Sequence, residues 1–321
     1  MTDGADKIEL DGLMAPRWLA EMRAGSAHGE AVDKPRGFYV NYRHFAAVHV
    51  ARGTKKLIVA FDNLSSVNDP SLGREAWGDK FYGENNWSSL GIISFKANWY
   101  RDETLFDYLE GLKRQGFFAQ YEHVVFTGTS MGGYGACAFC SLAPGSTVIA
   151  FSPQSTLGKA LVPWETRFHQ GRKQDWSGRY GDAAAHCAAA SRVYLCYDPY
   201  MPGDKGHADR FTGPNIVHLR ANFVGHKTAL FLRRAGILKK VTATCVQNNM
   251  TEARFSALFK ARRALPWYYF GLMDIALERG HTTLTDRIIH GAAAEKVGPN
   301  LPRFLENRRA KFLEGQGEKT A

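Results

Sequence analysis

A serine flanked by glycines is the feature of the sequence best suited to covalent chemistry. An apolar stretch, HVVFT, leads into GTSMG at 128–132 and then into small residues. This is G-x-S-x-G between a strand and a helix, where the serine holds a strained turn and a side chain at Gly128 or Gly132 would collide with its neighbours. The predicted chemistry is attack by the Ser130 hydroxyl on an acyl carbon. The N–H of Met131, at the positive end of the next helix, would stabilise the oxyanion.

The same glycines admit three other interpretations. A phosphate-binding P-loop needs lysine and a hydroxyl residue where this chain has Tyr134 and Gly135. A dinucleotide fingerprint through Gly133, Gly135 and Ala138 would lie inside the helix instead of at the strand end. A small-residue helix packed on a sheet accounts for the glycines but not for the serine between them.

A serine nucleophile needs a histidine base held by a carboxylate, and both follow in the chain. Asp198 ends the strand-like RVYLCYD, 68 residues after Ser130, and His226 lies 28 residues after Asp198, beyond the strand-like NIVHLRA. Asp204 and His207 form an alternative acid and base, although Asp204 is equally explained as a helix N-cap. The choice between Asp198 and Asp204 stays open.

With these motifs, the sequence resembles the α/β-hydrolase superfamily over roughly residues 38–235. The resemblance implies that Ser130 is the nucleophile, that His226 is the general base and acid, and that Asp198 is the orienting carboxylate. It does not specify a substrate, because this superfamily includes esterases, thioesterases, acyltransferases and members without catalysis.

The resemblance also implies an oxyanion hole, and the position of two aromatic residues indicates a candidate substrate pocket. One oxyanion donor is the Met131 amide. The second follows the third strand, where this chain has FDNL at 61–64 in place of the family's common His-Gly, so the backbone N–H of Asn63 or Leu64 is the expected donor. Trp99 and Tyr100 follow the fourth strand at the same sheet edge, which makes them candidates for the pocket wall or for plain core.

The elements that must position these residues alternate along the chain. Short β-branched or aromatic stretches predict eight strands, at 38–42, 46–51, 57–62, 91–96, 123–128, 147–152, 192–198 and 215–219. Apolar residues spaced by three and four predict helices at 103–116, 131–143, 182–190, 227–235, 237–246, 251–265, 267–279, 283–291 and 302–313. This alternation predicts an α/β fold, a mostly parallel eight-stranded sheet with helices on both faces.

The organisation predicted along the chain has three parts. An N-terminal extension at 1–35 precedes the α/β-hydrolase core at 36–235, and a basic helical extension follows at 236–321. Within the core, the long connection at 153–191 is a candidate lid, because α/β loops are usually shorter. The C-terminal extension has 14 cations against 8 acids, so it carries most of the net charge of +10.

The composition of the chain limits the classes of protein to which it can belong. With 45% hydrophobic and 22% charged residues among 321, the chain is globular, and no apolar run is long enough for a transmembrane segment. The acidic N-terminus is unlike a signal peptide, so a cytoplasmic location is expected. The five cysteines fit a reducing compartment. No cofactor or metal is expected, because no grouping has convincing ligand spacing.

These patterns predict a cytoplasmic serine hydrolase that cleaves a small-molecule carboxylic ester or thioester through an acyl-Ser130 intermediate. One alternative is an acyltransferase with the same triad. Another is a non-catalytic binding protein that uses its basic C-terminal helices. The basic helix at 251–265 and the aromatic cluster at 267–270 suit an anionic surface or a protein partner, whereas no nucleic-acid-binding signature accompanies the charge.

Overall fold

The computed structural model describes residues 17–24, 36–69, 74–295 and 297–320. The predicted extension at 1–35 lies outside the described residues except for the helix α1 (Arg17–Ala24). Within that helix, Trp18 is buried and stacks on Tyr39 with ring centroids 5.3 Å apart. This contact holds α1 against the outer strands of the sheet.

A single eight-stranded sheet forms the centre of the fold. Its strands are β1 (Gly37–Asn41), β2 (Phe45–Val50), β3 (Lys56–Phe61), β4 (Ser88–Ser94), β5 (His123–Thr129), β6 (Thr147–Phe151), β7 (Arg192–Tyr197) and β8 (Ile216–Arg220). The strand order is β1-β2-β4-β3-β5-β6-β7-β8. β1 and β2 pair antiparallel and β2 meets β4 antiparallel, while β3 pairs parallel with β4 and β5, and β5 with β6. The predicted mostly parallel eight-stranded sheet is confirmed.

The central strands are apolar because both faces of the sheet are covered. β6 is buried along its whole length, and β3 and β5 are buried apart from their ends. Register aligns the strand ends, since Phe61 of β3 lies opposite both Ile92 of β4 and Gly128 of β5. The carboxyl ends of these three strands therefore share one edge of the sheet.

Helices surround this sheet and follow it in the chain. Besides α1 they are α2 (Asp79–Glu84), α3 (Glu103–Arg114), α4 (Met131–Phe139), α5 (His169–Arg172), α6 (Ala183–His186), α7 (Pro202–Asp209), α8 (Thr228–Arg234), α9 (Leu238–Val246), α10 (Glu252–Leu258), α11 (Pro266–Glu278), α12 (Thr282–Ala294) and α13 (Leu301–Thr320). The predicted helices are present, but those at 131–143, 182–190 and 251–265 end early in 3-10 turns. Within the described residues, no helix is both long and apolar enough to cross a lipid bilayer.

Backbone contacts divide the chain into two compact units. The first consists of Met1–Leu195 with Gly206–Val217, and the second of Cys196–Lys205 with His218–Ala321. The candidate lid at 153–191 belongs to the first unit. The side chains at its start, from Gln154 to Leu157, are fully buried, whereas Leu161 and Trp164 are 51% and 44% exposed.

The second unit has a hydrophobic core of its own, built by α11, α12 and α13 around Met273 and Leu305. Many of its cations contact groups in the same unit. Arg308 pairs with Asp274, and the Arg262 guanidinium lies 4.9 Å from the ring centroid of Phe259. Part of the C-terminal positive charge is therefore engaged within the unit itself.

Candidate active site

Ser130 occupies the turn between β5 and α4. Its backbone has φ 53° and ψ −116°, a combination that costs a non-glycine residue free energy. The Ser130 N–H donates to the carbonyl of Phe151 at 2.8 Å, and its carbonyl accepts the N–H of Tyr134 at 3.0 Å. Hydrogen bonds to both β6 and α4 therefore hold the strained turn in place.

The two flanking glycines are required by space. A Cβ added at Gly128 would lie 2.9 Å from the Cα of Gly132, and one added at Gly132 would lie 2.5 Å from the carbonyl oxygen of Asp62. Both neighbours are backbone atoms that cannot move aside. The close approach of β3, β5 and α4 thus depends on the two glycines of the motif.

The predicted oxyanion donors lie at the starts of two helical turns. Met131 is the first residue of α4, and the first N–H groups of a helix have no acceptor within it. Asn63 caps the short 3-10 helix Leu64–Asn68, where its Oδ1 accepts the N–H of Ser65 at 2.8 Å. The carbonyl groups of Phe61 and Asp62, just before Asn63, face Gly132. The end of β3 therefore lies against the first turn of α4.

Gln154, which the sequence did not single out, contacts the serine hydroxyl. Its Nε2 donates to Ser130 Oγ at 3.5 Å and to the Ser152 carbonyl at 3.3 Å. Its Oε1 accepts the indole N–H of Trp99 at 2.8 Å, and both side chains are buried. The only sequence signal is a polar residue just after a predicted strand, which is indistinguishable from an ordinary loop residue.

The two predicted pocket residues differ in their surroundings. Trp99 has φ 52° and reaches Gln154, as described above. Tyr100 is fully buried, its hydroxyl donates to the Asp62 carbonyl at 2.7 Å, and its ring meets Phe61 edge-on. Burial raises the pKa of the Tyr100 phenol well above its usual value. Tyr100 thus packs in the core against the end of β3.

The second unit contains a histidine held by a carboxylate. The Nδ1–H of His226, two residues before α8, donates to both oxygens of Asp204 at 2.8 Å. The Asp204 side chain is 1% exposed and the His226 side chain is 25% exposed. This pairing holds the imidazole by Nδ1 and leaves Nε2 as the nitrogen that could exchange a proton.

Asp198, the predicted orienting acid, contacts backbone amides instead of an imidazole. Its Oδ2 accepts the N–H groups of Val224 and Gly225 at 2.8 and 2.7 Å, and its Oδ1 accepts the N–H of Tyr200 at 2.9 Å. Burial raises the pKa of Asp198, an effect that these amides oppose. The predicted contact between Asp198 and His226 is corrected accordingly, because Asp198 holds the loop before His226 and Asp204 holds the ring.

His207, the alternative base, belongs to a buried network in the first unit. Its Nδ1 accepts the N–H of Ser155 at 3.2 Å, which places the ring proton on Nε2, toward Glu165 Oε2 at 3.1 Å. Burial acts to raise the pKa of Glu165, but the bonds from His207 and Arg167 outweigh it and lower this pKa to about 2. Both side chains are essentially inaccessible to solvent. This network ties the candidate lid to the second half of α7.

Among solved structures, those that match this chain do so at low sequence identity. No family model matches the chain, and no curated protein sequence does. An esterase of Pyrococcus furiosus is 12% identical with a TM-score of 0.46, and the match covers 66% of this chain and 90% of that one. A capsule O-acetyltransferase of Neisseria meningitidis serogroup A is 12% identical with a TM-score of 0.44, covering 68% and 97%. The fluorophosphonate-binding serine hydrolase F of Staphylococcus aureus is 12% identical with a TM-score of 0.41, covering 65% and 98%.

The sheet and the serine turn of this chain match the predicted architecture. The sheet has eight strands and is mostly parallel, and the serine turn stands between β5 and α4. The fold is α/β-hydrolase-like.

Proposed function

We propose that this protein is a serine hydrolase that cleaves a carboxylic ester or thioester through an acyl-Ser130 intermediate. The observation that carries the proposal is the strained backbone of Ser130, at φ 53°, on a turn whose two glycines admit no side chain. Strain of this kind persists where the surrounding structure enforces it, and it exposes the hydroxyl of a nucleophile elbow.

In the proposed reaction His226 serves as general base and then as general acid. Its Nε2 takes the proton from the Ser130 hydroxyl as Oγ bonds to the acyl carbon, and it gives that proton to the departing alkoxide or thiolate. Water, activated in the same way, then releases the acid. Asp204 orients the ring and stabilises the imidazolium, a role supported by its 2.8 Å contacts with Nδ1.

Three further groups have proposed supporting roles. The Met131 N–H and an N–H from Asn63 or Leu64 would stabilise the oxyanion. Gln154 would position the serine hydroxyl, as its 3.5 Å contact with Oγ supports. Asp198 would fix the loop that carries His226, through its bonds to Val224 and Gly225.

The direct test is intact-mass spectrometry after incubation with a fluorophosphonate probe. Wild type and Ser177→Ala, an exposed serine used as control, should each gain one probe mass. Ser130→Ala should gain none while melting near the wild-type temperature. Labelling of Ser130→Ala would refute Ser130 as the nucleophile. No labelling of folded wild type would also refute it and would favour the binding protein with basic C-terminal helices.

Acyl transfer to another acceptor uses the same acyl-Ser130 step and differs only in what attacks it. Hydrolysis and transfer are therefore compared by supplying a chromogenic ester and measuring acid release with and without an added alcohol. Free acid as the main product in both cases supports hydrolysis, whereas transfer of most of the acyl group to the alcohol would support the transferase.

A further inference from the structure

A large cavity opens in the first unit where β4 ends. It has a volume of about 900 Å³, which lies within the range of about 300–1,000 Å³ found for small-molecule sites. Its walls come from the turn between β1 and β2, the end of β4, the start of α3, the segment after β3 and the region of α5. These elements include part of the candidate lid.

The cavity lies at the same sheet edge as the serine. β4 and β5 flank β3 in the sheet, so their ends are about 10 Å apart, which is twice the spacing of neighbouring strands. Ala97 and Asn98 line the cavity, and the next residue, Trp99, binds Gln154, which in turn contacts Ser130. The cavity wall is therefore adjacent to the buried side chains that contact the serine hydroxyl.

The lining is rich in groups that recognise hydroxyls. Four side-chain amides line it, and each amide can both donate and accept. They are Asn68, Asn98, Gln170 and Gln174. The Oδ1 of Asn98 accepts the N–H of Tyr100 at 3.1 Å, so Nδ2 is left to donate. Gln174 Nε2 donates to the Gln170 carbonyl at 3.1 Å, so Oε1 is left to accept. Aromatic rings of Tyr42 and Phe95 supply flat apolar surface beside them.

The charge of the lining favours an anion. Arg43 and Lys96 are exposed cations on its wall. Arg101 also lines it, and its guanidinium donates to the carbonyl oxygens of residues 175, 177 and 179.

The two acids of the lining have partners nearby. Asp102 accepts the Nδ1–H of His44 at 2.7 Å and also caps α3, while Glu103 pairs with Arg179. The lining therefore holds three cations, Arg43, Lys96 and Arg101, against two carboxylates, one of which is paired with Arg179, and this excess of positive charge attracts an anionic ligand.

We infer that this cavity binds the acidic saccharide portion of the substrate. That portion is a sugar that bears a carboxylate group, and its acylated hydroxyl reaches Ser130. The inference rests on the proposed function and gives it a substrate class. In the reaction the bond between acyl carbon and sugar oxygen breaks and the bond to Ser130 Oγ forms. The serine proton passes through His226 to the sugar oxygen. The sugar hydroxyls form hydrogen bonds with the side-chain amides of the lining, and the sugar carboxylate binds Arg43 and Lys96.

Binding is measured by calorimetry on Ser130→Ala, so that the result does not depend on turnover. The probes are an O-acetylated oligogalacturonide, a neutral O-acetylated xylo-oligosaccharide of equal length, and adipate as a dianion without hydroxyls. We expect the acidic saccharide to bind at least about tenfold more tightly than either control, with affinity falling as salt rises.

Variants on the same background locate the site. Arg43→Ala with Lys96→Ala should weaken binding of the acidic saccharide about tenfold or more, while Lys80→Ala with Arg114→Ala, an equal loss of exposed charge, should not. Equal binding of acidic and neutral saccharides, tight binding of adipate, or equal effects of both double variants would overturn the inference. Failure of fluorophosphonate labelling with binding intact would instead refute only the proposed function.

Discussion

The imidazole of His226 is held by Asp204, with its Nδ1 2.8 Å from both carboxylate oxygens. Asp198, which directly follows β7 and is the acid expected from the sequence, instead accepts three backbone N–H groups. The two carboxylates therefore have separable effects, one on the base itself and one on the loop that carries it.

Asp204→Asn should lower kcat for ester hydrolysis by about 10³ to 10⁴ with little change in melting temperature, because an amide fails to hold the required tautomer and imidazolium. Asp198→Asn should mainly lower stability, by about 1–3 kcal/mol, since an amide oxygen accepts the loop N–H groups more weakly. Steady-state kinetics and thermal unfolding of both variants check this. A larger kinetic loss in Asp198→Asn would restore Asp198 as the orienting acid.

Gly132→Ala should lower the free energy of unfolding by at least about 3 kcal/mol or prevent folding, because the new methyl group would lie 2.5 Å from the Asp62 carbonyl oxygen. Gly145→Ala is the matched control, since Gly145 has φ 83° but nothing within 4 Å of an added Cβ. Gly145→Ala should lower the free energy of unfolding only by the backbone strain, about 1 kcal/mol. Denaturant unfolding of both variants measures the difference, and equal costs would contradict the close packing of β3 on α4.

Gln154→Leu should lower kcat by about tenfold to a hundredfold, with a smaller effect on KM, because the amide that contacts Ser130 Oγ is lost. Trp99→Phe should produce part of this effect, since the indole N–H that fixes Gln154 disappears while the ring volume is largely kept. The exposed Gln120→Leu serves as the control. If the rate of fluorophosphonate labelling is unchanged in Gln154→Leu, Gln154 has no positioning role.

Glu165 should make stability depend on pH in the acid range. Its folded-state pKa of about 2 lies below the ordinary value of 4.5. Its contribution is therefore complete above about pH 4.5 and is lost as the pH falls toward 2. Glu165→Gln should melt lower than wild type at neutral pH, and the two melting curves should converge in acid.

The exposed Glu122→Gln, which removes only a surface pair with Lys55, should follow wild type at every pH. Parallel curves for wild type and Glu165→Gln down to about pH 2 would show that the carboxylate is not stabilised by its network.

The sequence determined the strands and the serine turn, because both depend on local order. Burial of β3, β5 and β6 on two faces requires continuous apolar stretches, and the turn at Ser130 requires glycines at 128 and 132. These requirements act between near neighbours in the chain, so residue type and spacing express them directly. Helix ends were less well predicted, because 3-10 turns such as Cys140–Leu142 have the same composition as the α-helix before them.

The tertiary structure decided which polar side chains meet. Asp204 and His226 are 22 residues apart, and their contact depends on the path of α7 and of the loop before α8. The backbone N–H groups of Val224 and Gly225 donate to the Asp198 carboxylate, so the carboxylate that contacts the imidazole is that of Asp204. Gln154 reaches Ser130 only because β5 and β6 are neighbours and Trp99 orients its amide. Hydrogen bonds between distant residues need the folded path of the chain, which the order of residue types does not contain.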